Sequence, residues 1–349
     1  MSRDKRYFTR PLDIKSGRID MTHGSGGKAM AQLVEEIFLA VFDNEWLRQM
    51  NDQALFRVPG GRMVMATDGH VVSPIFFPGG DMGCLSVHGT INDVAMSGAV
   101  PLYLSTSFIL EEGFLLSDLV RIVKSMAQAA KSSGVPIVTG DTKVVERGKA
   151  DGMFITTTGI GMVPEGVNIS GDRAKPGDKI LISGTMGDHG MAVMSSRENL
   201  TFETAILSDT AALHDLVAKM VSRVPDIHCL RDPTRGGLAT TLNEIARQSG
   251  VGMKIMERDI PVRTEVAAAC ELLGLDPLYV ANEGKLVAIC DAADAENLLA
   301  SMREHPLGEN AAIIGEVRED SHAFVQMATT FGGMRVVDWL AGEPLPRIC

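Results

Sequence analysis

The sequence predicts a protein that mixes helices and strands, of the α+β (α/β-mixed) class, folded into two domains. Its 349 residues suffice for about two domains of roughly 150 residues each. Short apolar runs typical of strands alternate with amphipathic helical patterns in both halves of the chain. A turn-rich stretch over 164–177 separates the halves. The predicted parts are a flexible N-terminal extension over 1–20, a first domain over 21–165, a second domain over 177–338 and a mobile tail over 339–349.

The first half carries two helical patterns and three strand patterns. Residues 30–41 place apolar side chains at i, i+3, i+4 and i+7 on one face, which predicts a helix. A second amphipathic pattern covers 119–130 and ends before Gly134. Three apolar runs predict strands over 63–66, 135–138 and 154–161.

The second half alternates strands with helices. Predicted strands lie over 179–182, 253–256, 286–289, 312–314 and 323–327, and predicted helices over 211–221, 237–248, 265–273 and 292–303. This alternation completes the mixed class of fold.

Composition and charge exclude several classes of function. Lys and Arg total 33 against 44 Asp and Glu, a net charge of −11. Nucleic acids and anionic membranes need a cationic face, so neither is an expected partner. Five widely spaced cysteines form no C-x-x-C pair, which favours reduced thiols over a disulfide framework or a zinc ribbon. With no signal peptide and no membrane-spanning apolar run, we expect a cytoplasmic protein.

The usual nucleotide motifs are absent, but a glycine-rich segment offers another phosphate site. Gly24, Ser25, Gly26 and Gly27 stand directly before the first helical pattern, and His23 precedes them. Backbone N–H groups at the start of a helix attract phosphate. The alternative is a flexible entry into the helix that binds nothing.

Aspartates beside glycine at the ends of apolar runs indicate a site for a divalent cation. Asp68 and Asp141 follow predicted strands, and Asp93 lies in a polar segment after Gly89. Loops after strand ends converge at one edge of a sheet, where carboxylates repel one another unless a cation neutralises them. Mg²⁺ takes one or two carboxylates together with phosphate oxygens. The alternative is separate turn caps, which Asp beside Gly also favours.

Other charged residues are candidates with an equally plain alternative. Asp232 and Arg235 precede a predicted helix, where they could bind metal and phosphate or serve as a cap and a surface charge. Lys143 could reach a phosphoryl group or only pair with Asp141. Glu283, in a turn before a strand, could be a general base, although solvent exposure is the usual state of such a residue.

The chain ends in a cysteine on an arm that contains two prolines. Pro344 and Pro346 favour an extended backbone. At roughly 3.1 Å per residue in polyproline geometry, the last nine residues reach about 25 Å. A thiol in the last position of such an arm, Cys349, is an unusual feature and a candidate reactive group.

These segments together resemble the family of the hydrogenase maturation factor HypE, the carbamoyl dehydratases. The resemblance is carried by HGSGG from His23, SPIFFPGG from Ser73, NDVA from Asn92, FILEEG from Phe108, GDTKVV from Gly140, SGTMGDH from Ser183, DPTRGG from Asp232, ANEGK from Ala281 and PRIC from Pro346. It extends from about Met21 to the last residue. The N-terminal extension and His70, where many members carry an aromatic residue, depart from the pattern.

The resemblance implies a fold and a reaction. The fold is that of the aminoimidazole ribonucleotide synthetase superfamily, with an N-terminal sheet that forms a shared barrel in a homodimer and with ATP and Mg²⁺ between the domains. In the implied reaction, the carbamoyltransferase HypF places a carbamoyl group on the terminal thiol, and this chain dehydrates it with ATP to a thiocyanate. The cyano group then passes to iron on the HypC–HypD complex and becomes a cyanide ligand of [NiFe]-hydrogenase.

The resemblance, with the chemistry above, gives the expected site residues. Cys349 would carry the group, Glu283 would be the base, and Lys143 would stabilise the transferring charge. The expected ATP-binding residues are His23, Gly24, Ser25, Gly26, Gly27, Asp68, Asn92, Gly140 and Arg235, and the expected metal ligands are Asp68, Asp93, Asp141 and Asp232. Two rival classes stay open: a kinase of a free small molecule, which would not need Cys349, and a non-catalytic carrier of a thiol.

Overall fold

The computed structural model describes residues 10–25, 28–49, 54, 56, 60–198, 205–340, 345 and 347–349. Within these ranges the first half contains α1 (Lys28–Leu33), α2 (Ala40–Phe42), β1 (Arg62–His70), β2 (Phe76–Phe77), β3 (Gly80–Asp81), α3 (Met82–Ala95), β4 (Val100–Glu111), α4 (Leu116–Ser132), β5 (Ile137–Val145) and β6 (Met153–Val163). A π-helical segment, Val34–Leu39, joins α1 to α2. The second half contains β7 (Lys179–Ile182), α5 (Asp188–Arg197), α6 (His214–Arg223), β8 (Ile227–Arg231), α7 (Gly237–Ser249), β9 (Gly252–Met256), α8 (Thr264–Leu273), β10 (Val287–Cys290), α9 (Ala295–Arg303), β11 (Ala312–Arg318), β12 (Val325–Ala328) and β13 (Met334–Val336).

A four-stranded sheet in the order β1-β6-β4-β5 forms the first half. Strands β1, β6 and β4 pair antiparallel, and β4 pairs parallel with β5. Helices α3 and α4 pack beside each other, and α3 covers β1 and β6. On the opposite face of the sheet, which we call the open face, Met63, Met65, Val100 and Ile109 are exposed.

Two predicted strands are longer than the sequence indicated. Strand β1 continues through Asp68 to His70, and β5 continues through Asp141 and Lys143 to Val145. The prediction that Asp68 and Asp141 lie in loops after their strands is therefore wrong. Both residues lie on edge strands, where the backbone of Asp68 pairs with β6 and that of Asp141 pairs with β4.

Helix α3 and strand β4 were absent from the prediction. Asp81 caps α3, since its carboxylate accepts from the N–H groups of Gly83 at 2.8 Å and Cys84 at 3.0 Å. The helix is buried on nearly all sides, so its sequence lacks the one-sided apolar stripe that marks a surface helix. Asp93, predicted in a loop, lies on the last turn of α3.

A seven-stranded sheet in the order β13-β12-β9-β11-β7-β10-β8 forms the second half. Only the pair β12–β9 is parallel among the described pairs of this sheet. The predicted strands and helices of this half all occur, displaced by a few residues at their ends, and the sequence missed α5, β8 and β13. The observed mixture of sheets and helices confirms the predicted class.

The cores continue from one half into the other. One apolar cluster joins Leu85 and Phe108 of the first half to Met191 and Val266 of the second. Ile19 is buried in it and is hydrogen-bonded to Phe114 and Gly113, so the described end of the predicted extension is fixed to the first half. No helix in the described ranges is long and apolar enough to cross a membrane.

Candidate active site

A cavity of about 140 Å³ lies where the two halves meet. It is lined by Thr67, Asp68, Gly69, His70, Gly89, Asp93, Asp232, Thr234, Arg235, Glu283 and Cys349. We call it the acidic pocket. It brings together six residues that the sequence singled out: Asp68, Asp93, Asp232, Arg235, Glu283 and Cys349.

The first half contributes two of the carboxylates from neighbouring elements. Asp68 alternates with exposed Thr67 and Gly69 along β1, so its side chain points towards α3. Asp93 follows Gly89 by one turn of α3, which puts both on one helix face. A Cβ on Gly89 would lie 3.6 Å from the Asp68 carboxylate, so glycine leaves room in the pocket at this point.

The second half contributes Asp232 and Arg235 from the segment between β8 and α7. Gly236 and Gly237 follow with φ of 78° and 60°, the left-handed region that glycine adopts without strain. A Cβ on Gly237 would also lie 2.6 Å from the carbonyl oxygen of Leu278. These two glycines let the chain turn into α7 directly behind Arg235.

The carboxylates perturb one another strongly. Burial, with the charges of Asp232 and Asp68, raises the pKa of Asp93 to about 8. Burial and the charge of Asp68 raise the pKa of Asp232 to about 6. Such raised values indicate a site that a cation would stabilise.

Glu283 is buried, which corrects the expectation of solvent exposure. Its residue is 4% exposed, and its Oε1 has no hydrogen-bond partner. Burial, and then the charges of Asp232 and Asp209, hold the pKa of this carboxyl well above its usual range. An unpartnered buried carboxyl in a cleft is a common property of a catalytic acid or base.

The turn that carries Glu283 is held by two side chains. Asn92 donates to the carbonyl oxygen of Glu283 at 3.2 Å, so this residue supports the turn from α3. Asp209 accepts from the N–H groups of Glu283 at 3.1 Å and Gly284 at 3.3 Å, and pairs with Lys285 at 3.1 Å. Sequence reasoning missed Asp209, which stands alone in its segment without a motif around it.

The tail places its thiol in the acidic pocket. The backbone oxygen of Cys349 accepts from the N–H of Val71 at 3.0 Å, and that of Arg347 accepts from the N–H of Ser73 at 3.1 Å. Ile348 is buried, and Leu345 belongs to the same apolar cluster. Burial, with the Glu283 charge, raises the pKa of the Cys349 thiol. The predicted extending prolines, Pro344 and Pro346, lie outside the described residues.

The remaining predicted residues lie elsewhere in the chain. The strand register aligns Gly69 with Thr156, Thr156 with Ser107 and Ser107 with Asp141. Three strand spacings of about 4.8 Å therefore separate Asp141 from β1 by about 14 Å. Asp141 shares the face of Gly69, opposite to Asp68, because neighbouring residues of a strand alternate between faces.

A second group of predicted residues forms around β5, and we call it the β5 edge. Lys143 and Asp141 pair there at 2.7 Å and are both exposed. Gly24 packs on Val144, since a Cβ there would lie 2.8 Å from the Val144 backbone nitrogen. The group comprises His23, Gly24, Ser25, Gly140, Asp141 and Lys143, while Gly26 and Gly27 lie outside the described residues. The predicted phosphate loop thus lies beside Lys143 and away from the acidic pocket of the same chain.

In the part of the chain that the structure describes, protein ligands alone do not complete a metal centre. Within the described residues, no three His, Cys, Asp or Glu side chains are close enough together to hold an ion. This is compatible with Mg²⁺, which completes its shell with phosphate oxygens and water. The pocket offers the oxygen donors that Mg²⁺ takes, since it is lined by three aspartates and by Glu283, whose buried Oε1 has no hydrogen-bond partner.

Family models place the chain in one class of two-domain proteins. The N-terminal domain model of the AIR synthase related proteins matches residues 50–163, and the C-terminal domain model matches residues 175–328. Thiamine monophosphate kinase of Aquifex aeolicus shares this fold at 19% identity, with a TM-score of 0.57 over 78% of this chain and 89% of that one.

Full-length relatives narrow the class. The carbamoyl dehydratase HypE of Cupriavidus necator is 72% identical over 99% of both chains, and that of Escherichia coli is 45% identical over 95% of this chain and 99% of its own. A crystal structure of the hydrogenase maturation protein HypE in complex with ATP is 53% identical, with a TM-score of 0.91 over 94% of this chain and 99% of that one. The chain therefore belongs to the carbamoyl dehydratase HypE family of the AIR synthase related proteins.

Proposed function

We propose that this chain dehydrates a carbamoyl group carried on Cys349 to a thiocyanate, at the expense of ATP, as a source of cyanide ligands for [NiFe]-hydrogenase iron. The observation that carries the proposal is the position of the terminal thiol, which lines the same cavity as Glu283 and three aspartates. The similar hydrogenase maturation protein that was crystallised with ATP supports the choice of nucleotide. A kinase of a free small molecule has no use for a protein thiol in this position.

The reaction needs a base and a phosphoryl acceptor. The oxygen of the S-carbamoyl group attacks the γ-phosphate while Glu283 removes one N–H proton, which yields a phosphorylated imidate and ADP. Phosphate then leaves with the loss of the second N–H proton, and a C≡N group remains on sulfur. ATP and S-carbamoylcysteine thus become ADP, phosphate and S-cyanocysteine. Glu283 fits the role because a carboxylate with a raised pKa is a stronger base once its proton has left.

The proposed metal ligands are the carboxylates of the acidic pocket, Asp68, Asp93 and Asp232, of which one or two would hold each ion together with phosphate oxygens. When bound, Mg²⁺ would join these carboxylates to the phosphates and offset the negative charge of both. The same carboxylates raise the pKa of Glu283. Any positive charge among them therefore favours the ionised base, so Glu283 is prepared for the reaction only in a loaded pocket.

We infer that the β5 edge serves a second copy of the chain. The side chains of Lys143 and Asp141 project from the open face of the sheet, opposite to Asp68, so they cannot reach the acidic pocket of their own chain. That face also exposes Met65, 70% accessible, and Val100, 50% accessible, which is typical of a covered interface. We propose a homodimer in which these faces form a shared barrel, with Lys143, Asp141 and the loop of His23 to Gly27 serving the second copy's nucleotide.

Partner proteins act on the same thiol. We propose that HypF loads the carbamoyl group and that the HypC–HypD complex accepts the cyano group, both in the cytoplasm. A solved complex of HypE with HypF, 52% identical over 88% of this chain and 99% of that one with a TM-score of 0.78, supports the first partner. Both transfers require the tail to leave its docked position, because Cys349 lines the acidic pocket and Ile348 and Leu345 are buried in the apolar cluster.

Intact-mass analysis tests the reaction directly. After incubation with HypF, carbamoyl phosphate and ATP, the mass should rise by one carbamoyl group and then fall by one water, both changes mapping to Cys349. The Glu283→Gln variant should bind ATP and stop at the carbamoyl stage. The Cys84→Ser variant is the matched control, because Cys84 is the other cysteine that is not fully buried. A full cycle in Cys349→Ser protein, or dehydration by Glu283→Gln, would contradict the proposal.

A further inference from the structure

Helix α5 holds the docked tail from both of its ends. Its second residue, His189, is fully buried, and its Nε2 lies 2.8 Å from the carbonyl oxygen of Ile348. Its last residue, Arg197, donates to the carbonyl oxygen of Arg347 at 2.9 Å. The two carbonyl groups next to Cys349 are therefore both bound by this helix.

The first turn of α5 is also bonded to the turn that carries Glu283. The N–H of Gly187 donates to the side-chain oxygen of Asn282 at 2.7 Å, and the N–H of Gly190 donates to the carbonyl oxygen of Ala281 at 3.0 Å. A Cβ on Gly190 would lie 2.4 Å from Val280 and 3.4 Å from Leu345 of the tail. One turn of helix thus contacts the tail and the residues before the base.

The hydrogen bonds fix the tautomer of His189. A carbonyl oxygen only accepts, so Nε2 must carry the hydrogen and donate to Ile348. Nδ1 then accepts from the hydroxyl of Ser208, at 2.7 Å, and that hydroxyl in turn accepts from the N–H of Thr210 at 3.1 Å. Burial lowers the pKa of His189, which keeps the ring neutral and this order of donors intact.

The residue after Ser208 supports the turn that carries Glu283. The next residue, Asp209, is the one whose carboxylate accepts from the N–H groups of Glu283 and Gly284. A continuous path of hydrogen bonds and one peptide unit therefore leads from the Ile348 carbonyl through His189 to the backbone of Glu283.

We propose that His189 is a positioning residue that couples docking of the loaded tail to placement of the base. It touches neither reacting group, and acts through Ile348 on one side and Ser208 on the other. This inference rests on the proposed function, in which Cys349 carries the substrate and Glu283 takes the proton.

The coupling predicts opposite effects on two reactions, which a merely structural role would not produce. The Ile348 bond exists only while the tail is docked, so it favours the docked state by its own strength. Dehydration needs the docked tail, whereas carbamoylation by a second protein needs the released tail. Loss of the bond should therefore slow the first reaction and leave the second at least as fast.

Three variants of the full-length protein test the inference. His189→Phe keeps an aromatic ring beside Phe77, whose ring centroid is 5.4 Å away, and removes both hydrogen bonds. His189→Gln retains an N–H donor near the place of Nε2. Ser195→Ala is the matched control, since Ser195 is buried on the same helix and its hydroxyl has no hydrogen-bond partner.

The readouts are alkylation of Cys349 by a thiol reagent, mapped by mass, single-turnover dehydration of carbamoylated protein, and the rate of carbamoylation. For His189→Phe we expect alkylation to rise and dehydration to fall, each by roughly tenfold, the effect of leaving one buried hydrogen-bonding group without its partner. Carbamoylation should not slow. His189→Gln should recover protection of Cys349, and Ser195→Ala should match the unaltered protein in all three.

Unchanged alkylation or unchanged dehydration in His189→Phe would overturn the inference. So would a parallel loss of dehydration and carbamoylation, because the coupling predicts that carbamoylation does not slow. The unaltered protein separates this inference from the proposed function: if it fails to dehydrate the group, the function is wrong, while the alkylation rates still report on docking of the tail.

Discussion

The raised pKa of Asp93 predicts that the Asp93→Asn variant becomes more stable relative to the unaltered protein as the pH rises. Its pKa is raised from 3.8 to about 8 in the folded protein. Between these values the folded chain holds a proton that the unfolded chain has released, so the free energy of unfolding falls as pH rises. Asparagine does not ionise and escapes this loss, which is complete only above pH 8.

The magnitude follows from the two pKa values. One pKa unit corresponds to about 1.4 kcal/mol, so a shift from 3.8 to about 8 sets an upper limit of about 6 kcal/mol. Asp93 is partly exposed, and Asp68 and Asp232 share the protonation, so we expect about 2 kcal/mol. At the usual scale of 5–15 kcal/mol for total stability, a change of about 2 kcal/mol is readily measured.

Urea unfolding at pH 4.5 and pH 8, in the absence of divalent cations, measures the effect. The quantity of interest is the difference in unfolding free energy between Asp93→Asn and the unaltered protein, because other titrating groups cancel in it. This difference should shift in favour of the variant by about 2 kcal/mol between the two pH values. Asp141→Asn is the matched control: a hydrogen bond from Lys143 lowers the pKa of Asp141, so that variant should show no gain. A difference for Asp93→Asn that does not change with pH would refute the reasoning.

Three further predictions concern the dimer and the cation. Met65→Lys should shift sedimentation from dimer to monomer, because it puts a charge on the open face of the sheet, whereas Phe331→Lys, at a fully exposed position, should leave the dimer intact. Lys143→Ala and Glu283→Gln proteins, each inactive alone, should regain up to about a quarter of full dehydration when mixed, since about half of randomly formed dimers are mixed and each has one complete site; no recovery would place Lys143 outside the second copy's site. Adding Mg²⁺ should raise the thermal midpoint more at pH 8 than at pH 5, because the pKa of Asp93 is about 8, and equal shifts would argue against a cation at this residue.

The second half of the fold was largely predictable because its elements alternate cleanly. The predicted strand over 179–182 coincides with β7. Helix α7 begins at Gly237 as predicted, since the preceding glycines end the loop. In the first half, the sequence hid α3, which is buried on nearly all sides. Helix α3 has apolar or small residues on all sides, which removes the periodicity from which a helix is predicted.

The residues of the acidic pocket were partly predictable from the sequence, but the separation of Asp141 from them was not. Asp68, Asp93 and Asp232 were chosen as acids near turns, and the fold brings them together with Glu283 and Cys349. Asp141 looked equivalent to Asp68 by sequence. A strand pattern shows neither which face a polar residue takes nor how many strands lie between two edges, so the opposite positions of these residues were hidden.

The supporting residues were out of reach for a related reason. Asp209 and His189 act through contacts between segments far apart in the chain, such as the 2.8 Å contact between His189 and Ile348. A lone aspartate or histidine carries no local pattern that indicates its partner. Only the packing of α5 against the tail and the turn of Glu283 assigns them a role.

The raised pKa of the Cys349 thiol lowers the reactivity of this thiol while the tail is docked. The acidic pocket disfavours a thiolate, so the docked, unloaded tail carries a protonated and weakly nucleophilic sulfur. Under the proposed function, we therefore expect loading by a carbamoyltransferase to be faster on a released tail, where the thiol regains its ordinary acidity. The loaded sulfur has no proton to lose and carries no charge, so the carboxylates no longer oppose docking at any pH. The same negative pocket therefore lowers the reactivity of the docked free thiol, while it admits both the protonated and the carbamoylated sulfur, because neither carries a charge.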